Sequence, residues 1–153
     1  MSTEAAAEPR TVSRTVVGID GSAASEQALR WACEHVSAAG EPGEVMAVCV
    51  RTIAPLPEDL SIATWPWRDD DPADPVLAML DSMAELVGRD FPLVTIRRQV
   101  LQGHPVDELI RLSESAELVV VGARGHGAIA GMLLGSVSRR LINHSHCSVA
   151  VVR

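Results

Sequence analysis

The strongest constraint on this chain is the alternation of short, unbroken apolar runs with longer segments whose apolar residues recur every three or four positions. Val45–Val50 (VMAVCV) and Leu118–Val121 (LVVV) contain no polar residue in either alternate register, so a strand made of them must be covered on both faces. Thr15–Ile19 (TVVGI) and Val149–Val152 are shorter β-rich runs, and Val94–Leu101 (VTIRRQVL) alternates imperfectly, as an edge or half-exposed strand would. Between them, Ala28, Leu29, Ala32, Val36 and Ala39 form one helical stripe within 23–39. Val76, Leu77, Leu80, Met83, Ala84 and Val87 form a second, ending near Gly88–Asp90. A short helix opens at Gly103-His104-Pro105 and runs through Ser115, and another begins at Ser136 with Val137, Leu141 and Ile142. Five strands alternating with four helices in 153 residues predict a single-domain, doubly wound, five-stranded parallel α/β sheet.

Two stretches stand outside that pattern. Residues 1–10 are acidic and lack an apolar segment, which predicts a disordered lead-in to a domain over 11–153 and not a secretory signal. Residues 54–75 hold five of the nine prolines, Trp65, Trp67 and the acidic Asp69, Asp70 and Asp71, a composition that predicts an exposed mobile loop. At its end Asp74-Pro75 reads as an N-cap followed by proline in the first helical position.

Composition removes several function classes. Thirteen basic against twenty acidic residues give a net charge of −7, which opposes binding to a nucleic-acid backbone. All the basic residues are arginine, so lysine Schiff-base chemistry and a Walker-type phosphate loop are excluded. No apolar run approaches the roughly 20 residues that span a bilayer. Cys33, Cys49 and Cys147 are odd in number and fit no zinc or dithiol spacing, which favours reduced thiols, core packing and a cytoplasmic location.

In a doubly wound sheet, ligands bind beyond the carboxyl ends of the strands. Asp20 follows the first strand, Val50 ends the second, and Gly122-Ala123-Arg124-Gly125-His126-Gly127 follows the fourth, with glycines continuing to Gly131 and Gly135 before the helix at Ser136. A glycine loop entering a helix N-terminus offers free amides and a positive dipole end to an anion, with Ser136 adding a hydroxyl. Glycine would serve there by close backbone approach to a phosphate and by positive φ. The same glycines could equally serve turns and packing alone.

The spacing Gly122-x-x-Gly125, nine residues, then Gly135-Ser136-Val137 resembles the nucleotide motif of the universal stress protein family. The first-strand pattern Val16-Val17-Gly18-Ile19-Asp20-Gly21-Ser22, the strand end Cys49-Val50 and the closing Cys147–Val152 are similar to it too, so the resemblance covers 14–153. It implies a Rossmann-like domain of the adenine-nucleotide alpha-hydrolase type, usually a homodimer, in the ATP-binding branch. It further implies that Asp20 and the backbone at Gly18 and Val50 meet the adenosine end of ATP. Val121, Gly122 and Gly125 would line ribose and phosphates, and Gly135, Ser136 and Val137 would hold the phosphate tail. Mg²⁺ or Mn²⁺ would come with the phosphates. Arg124 stands where many relatives carry His or Arg, and its fork of donors suits phosphate. Cys49 stands where a frequent relative has His.

Other candidates read more plainly. Asp20 could cap the first helix as well as meet a ligand. His104, His126, His144 and His146 could suggest a metal site, but His144-x-His146 lacks a convincing third ligand and reads as a helix end. His126, inside the glycine loop, could approach phosphate but reads more simply as an exposed loop histidine. Trp65 and Trp67 suit packing more than base stacking, and Ser22 and Ser25 have no nucleophilic constellation around them. The chain is therefore expected to be a stress-response nucleotide sensor or carrier with little or no catalysis, pairing through Val149–Val152, with room for a protein partner that the sequence does not identify. The alternatives are a slow nucleotide hydrolase, with 54–75 as a lid, and a dimeric scaffold binding cyclic AMP or AMP.

Overall fold

The computed structural model describes residues 14–52, 73–126 and 130–153. The expected lead-in at 1–10, Trp65, Trp67, Asp69–Asp71 and nearly all of the expected loop at 54–75 lie outside the described residues.

Among the described residues nine elements alternate: β1 (Thr15–Gly18), α1 (Ala23–Ser37), β2 (Gly43–Arg51), α2 (Pro75–Gly88), β3 (Val94–Gln102), α3 (Pro105–Ser113), β4 (Leu118–Gly122), α4 (Ser136–His144) and β5 (Ser148–Val152). The strands form one parallel sheet in the order β3-β2-β1-β4-β5, so the chain is a doubly wound α/β fold. The register aligns Val16 with Met46 and Val119, and Val120 with Ala150.

Period-two strands with few polar positions divide their side chains between two cores. Val17, Val45, Ala47 and Val120 point to the face covered by α1 and α2, where Ala28, Leu29, Ala32, Leu80 and Val87 meet them. Val16, Val48, Val119 and Val121 point to the opposite face and meet Leu109 of α3 and Leu141 of α4. Leu29, Leu80 and Leu141 are almost fully excluded from solvent, and each such burial stabilises the fold by about 1.5–3 kcal/mol.

The helix ends follow local chemistry. Ser22 caps α1 by accepting the Ser25 amide at 3.2 Å. Asp74 caps α2 by accepting the Val76 amide at 2.9 Å, and Pro75 fills the first turn. Two expected core positions face outward. Ala39 lies beyond the end of α1 and is exposed. Ile142 of α4 is 52% exposed, because the buried face is centred on Val137, Ser138 and Leu141 and Ile142 sits a quarter turn past it.

Both sheet edges are single strands. β3 carries Arg97 and Arg98, paired with Glu44 and Asp81. β5 (SVAVV) carries no charge.

Candidate functional site

The chain winds outward from β1 through β2 to β3, then returns across the sheet to place β4 on the other side of β1. This reversal parts the loops above β1 and β4 and opens a cleft at their carboxyl ends. The cleft has a volume of about 260 Å³.

Its walls come chiefly from four stretches, with Ser25 of α1 and Pro105 and Leu109 of α3 completing them. Gly18, Ile19 and Asp20 rise from β1, with the Ile19 amide bonded to the Val48 carbonyl at 2.8 Å. Cys49 and Val50 come from the end of β2, Val121 to His126 from β4 and its loop, and Gly135 to Ser138 from the start of α4. The sequence-predicted Gly18, Asp20, Val50, Val121, Gly122, Arg124, Gly125, Gly135, Ser136 and Val137 all line this one cleft, Arg124 with its side chain exposed.

The loop is pinned at both ends through Ala123. Its amide bonds the Val152 carbonyl of β5 at 2.7 Å, and its carbonyl accepts the Gly135 amide at 2.7 Å. The same carbonyl accepts the Ser138 hydroxyl at 3.2 Å, a group that also donates to Gly135 O at 3.1 Å. Ser138 is 1% exposed. Gly135 is the N-cap of α4 and provides no side-chain cap, so the first-turn amides of α4 open toward the cleft. Sequence reasoning missed Ser138, Ala123 and the α3 wall residues Pro105 and Leu109. For Ser138 a signal existed, since a serine three residues after an N-cap commonly bonds back to it; the α3 wall had none.

The positive φ expected of the loop glycines is not general. Gly122, Gly125 and Gly135 all have ordinary negative φ, and among the described residues of the loop only Gly131 is positive. What Gly122 and Gly125 supply is room. A Cβ on Gly122 would lie 3.0 Å from the Ala24 carbonyl carbon and oxygen of α1. One on Gly125 would lie 2.0 Å from Asp20 Oδ2. These close approaches are to the chain itself.

Asp20 is not the helix cap, a role Ser22 takes. Its Oδ1 accepts the Ser22 amide at 2.9 Å and the Ser22 hydroxyl, and Oδ2 accepts the His126 amide at 3.0 Å. Partial desolvation in the cleft pushes its pKa up, but the bonds from Ser22, His126 and Ser25 outweigh this and hold the carboxyl below its ordinary value. Burial, and then the Asp20 carboxylate, push the Cys49 thiol up, so it lines the cleft as a neutral thiol. Among the described residues no group of three His, Cys, Asp or Glu side chains could hold a metal ion.

The family model described as "Universal stress protein family" matches residues 11–153. A universal stress protein of Mycobacterium tuberculosis is 34% identical over 146 residues, which cover 95% of this chain and 49% of that protein. The chain thus spans about half the length of such curated relatives. Among solved structures, a universal stress protein in complex with cAMP is similar at a TM-score of 0.66 and 27% identity, over 92% of this chain and 96% of that one. An Arabidopsis thaliana family protein with AMP bound shares the fold at a TM-score of 0.61 and 18% identity, over 92% and 90%.

Proposed function

This chain belongs to the universal stress protein family, and on that premise we propose that it is an adenine-nucleotide-binding protein that takes ATP and acts as a sensor or carrier rather than as an efficient catalyst. The observation that carries the reading is the convergence on one cleft of a strand-end carboxylate, a glycine loop and an uncapped helix start. In this reading the adenosine lies against Gly18, Asp20 and Val50. Its phosphates run past Val121, Gly122, Arg124 and Gly125 to the amides of Ser136 and Val137. The donor set around the cleft suits a Mg²⁺ or Mn²⁺ ion that arrives on the phosphates, whose charge it would offset, better than one caged by side chains.

A second reading is favoured by a specific neighbour: the 27%-identical structure holds cAMP, so the cleft is also a candidate site for cAMP or AMP in a scaffold protein. Calorimetry separates the two. Tight ATP binding with weak AMP and cAMP binding supports the first reading, and the reverse order supports the second. Gly135→Asp is the suitable control, because Gly135 has ordinary φ and the nearest contact to an added Cβ is 3.4 Å. Its carboxylate at the start of α4 should weaken nucleotide binding at least tenfold while leaving the unfolding midpoint nearly unchanged. Absence of binding by all three nucleotides to the wild type would remove both readings.

We extend the proposal to a homodimer joined through β5 and to the cytoplasm. Three free cysteines accord with a reducing compartment. The uncharged edge of β5 accords with strand pairing, and two copies have about the length of one curated relative.

A further inference from the structure

The glycine loop is held from across the switch point. Beyond Ala123, among the described residues of the loop, the bond from the His126 amide to Asp20 Oδ2 is the one hydrogen bond that ties it to the rest of the chain before Gly135. The contact is intimate on both sides of that bond. Gly125 passes so near that an added Cβ would stand 2.0 Å from Oδ2 and 3.2 Å from Asp20 Cγ. The His126 ring lies beside Gly21, with Nε2 and the Met79 sulfur of α2 each 3.8 Å from where a Gly21 Cβ would be. Asp20 is itself fixed, since Oδ1 is bonded to the Ser22 amide and hydroxyl at the entrance to α1. A bond to an ionised acceptor is stronger than one between neutral groups, and a carboxylate has about four acceptor positions, so Asp20 can hold the loop and still accept from a ligand.

We propose that Asp20 is a positioning residue for the nucleotide: its Oδ2 tethers Gly125 and His126 above the cleft, so the phosphate-facing loop that leaves β4 is set in place by β1. The inference rests on the reading that the cleft takes an adenine nucleotide, but the tether belongs to the ligand-free protein and is measurable without one. Asp20 then acts on the ligand through the loop in addition to any contact of its own.

The test is amide hydrogen exchange of the full chain without nucleotide, together with ATP, AMP and cAMP calorimetry, for wild type, Asp20→Ala and Gly125→Ala. Asp20→Ala removes the acceptor; Gly125→Ala keeps the carboxylate and drives the loop off it. Both should raise exchange at His126 more than tenfold and weaken nucleotide binding at least tenfold. Unchanged His126 exchange in Asp20→Ala overturns the tether even if affinity falls, because Asp20 would then act only by touching the ligand. Faster exchange with undiminished affinity overturns the positioning role. Should Asp20→Ala fail to fold, Gly125→Ala alone decides by the same criteria. Should the wild type bind none of the nucleotides, the nucleotide reading and the positioning role fall together, and exchange still shows whether the tether exists.

Discussion

Asp74 shows how one side chain joins two elements that are distant in sequence. It is 1% exposed, caps α2 through the Val76 amide, and pairs with the Arg51 guanidinium at the end of β2. Burial pushes its pKa up, but the Val76 amide and Arg51 together outweigh this and leave it below the ordinary 3.8. A carboxyl whose folded pKa lies below its unfolded one stabilises the fold fully above the unfolded value, and that contribution fades as pH falls through the folded one. Urea unfolding should therefore show this contribution intact at neutral pH and lost only below about pH 3.8. Asp74→Ala should cost about 2–4 kcal/mol at pH 7, since it deletes a cap and strands a mostly buried guanidinium. Asp74→Asn should cost less, because asparagine caps as well as aspartate. The cap and the proline were legible in the sequence because both are local. Arg51, 23 residues away, was not, because partner choice between distant charges waits on the fold. The same holds at the site: Asp20 was legible as a strand-end carboxylate, whereas its bond to His126, 106 residues on, was not.

At the scale of elements, the alternation of unbroken apolar runs with helical stripes was enough to place all five strands and four helices within a few residues of where they lie. The both-faces-buried runs became the three inner strands together with Thr15–Gly18, and the imperfect alternation of β3 became an edge. Less legible was which flank of a helix faces out, as Ile142 shows, because that depends on how α4 is docked and not on its own period. β5 allows a sharp element-scale prediction. The Val152 carbonyl bonds inward to Ala123, so the amide and carbonyl of Val151, its neighbour along the strand, point to the open side. Val151→Pro should then leave the pairing with β4 in place while denying a second copy its donor. By light scattering the wild type should run at twice its 16.3 kDa and the variant at 16.3 kDa. A wild type that stays monomeric at micromolar concentration would refute the pairing.

For the whole molecule, the switch point between β1 and β4 gathers residues from both halves of the chain, and Ala123 binds the edge strand, the glycine loop and α4 into one backbone frame. The two margins of the sheet are unlike in a way that bears on the proposed pairing. The β3 margin is lined with ion-paired arginines, while β5 has only small and apolar side chains. A fibre built strand to strand must add subunits at both ends, and a pair joined through β5 presents only the guarded margin to its surroundings. Growth of the proposed β5-joined pair would therefore be self-terminating. As concentration is raised a thousandfold, the scattering mass should plateau at two chains without a cross-β signal. Replacing Arg97 and Arg98 with valine should release that limit and give species that lengthen with concentration.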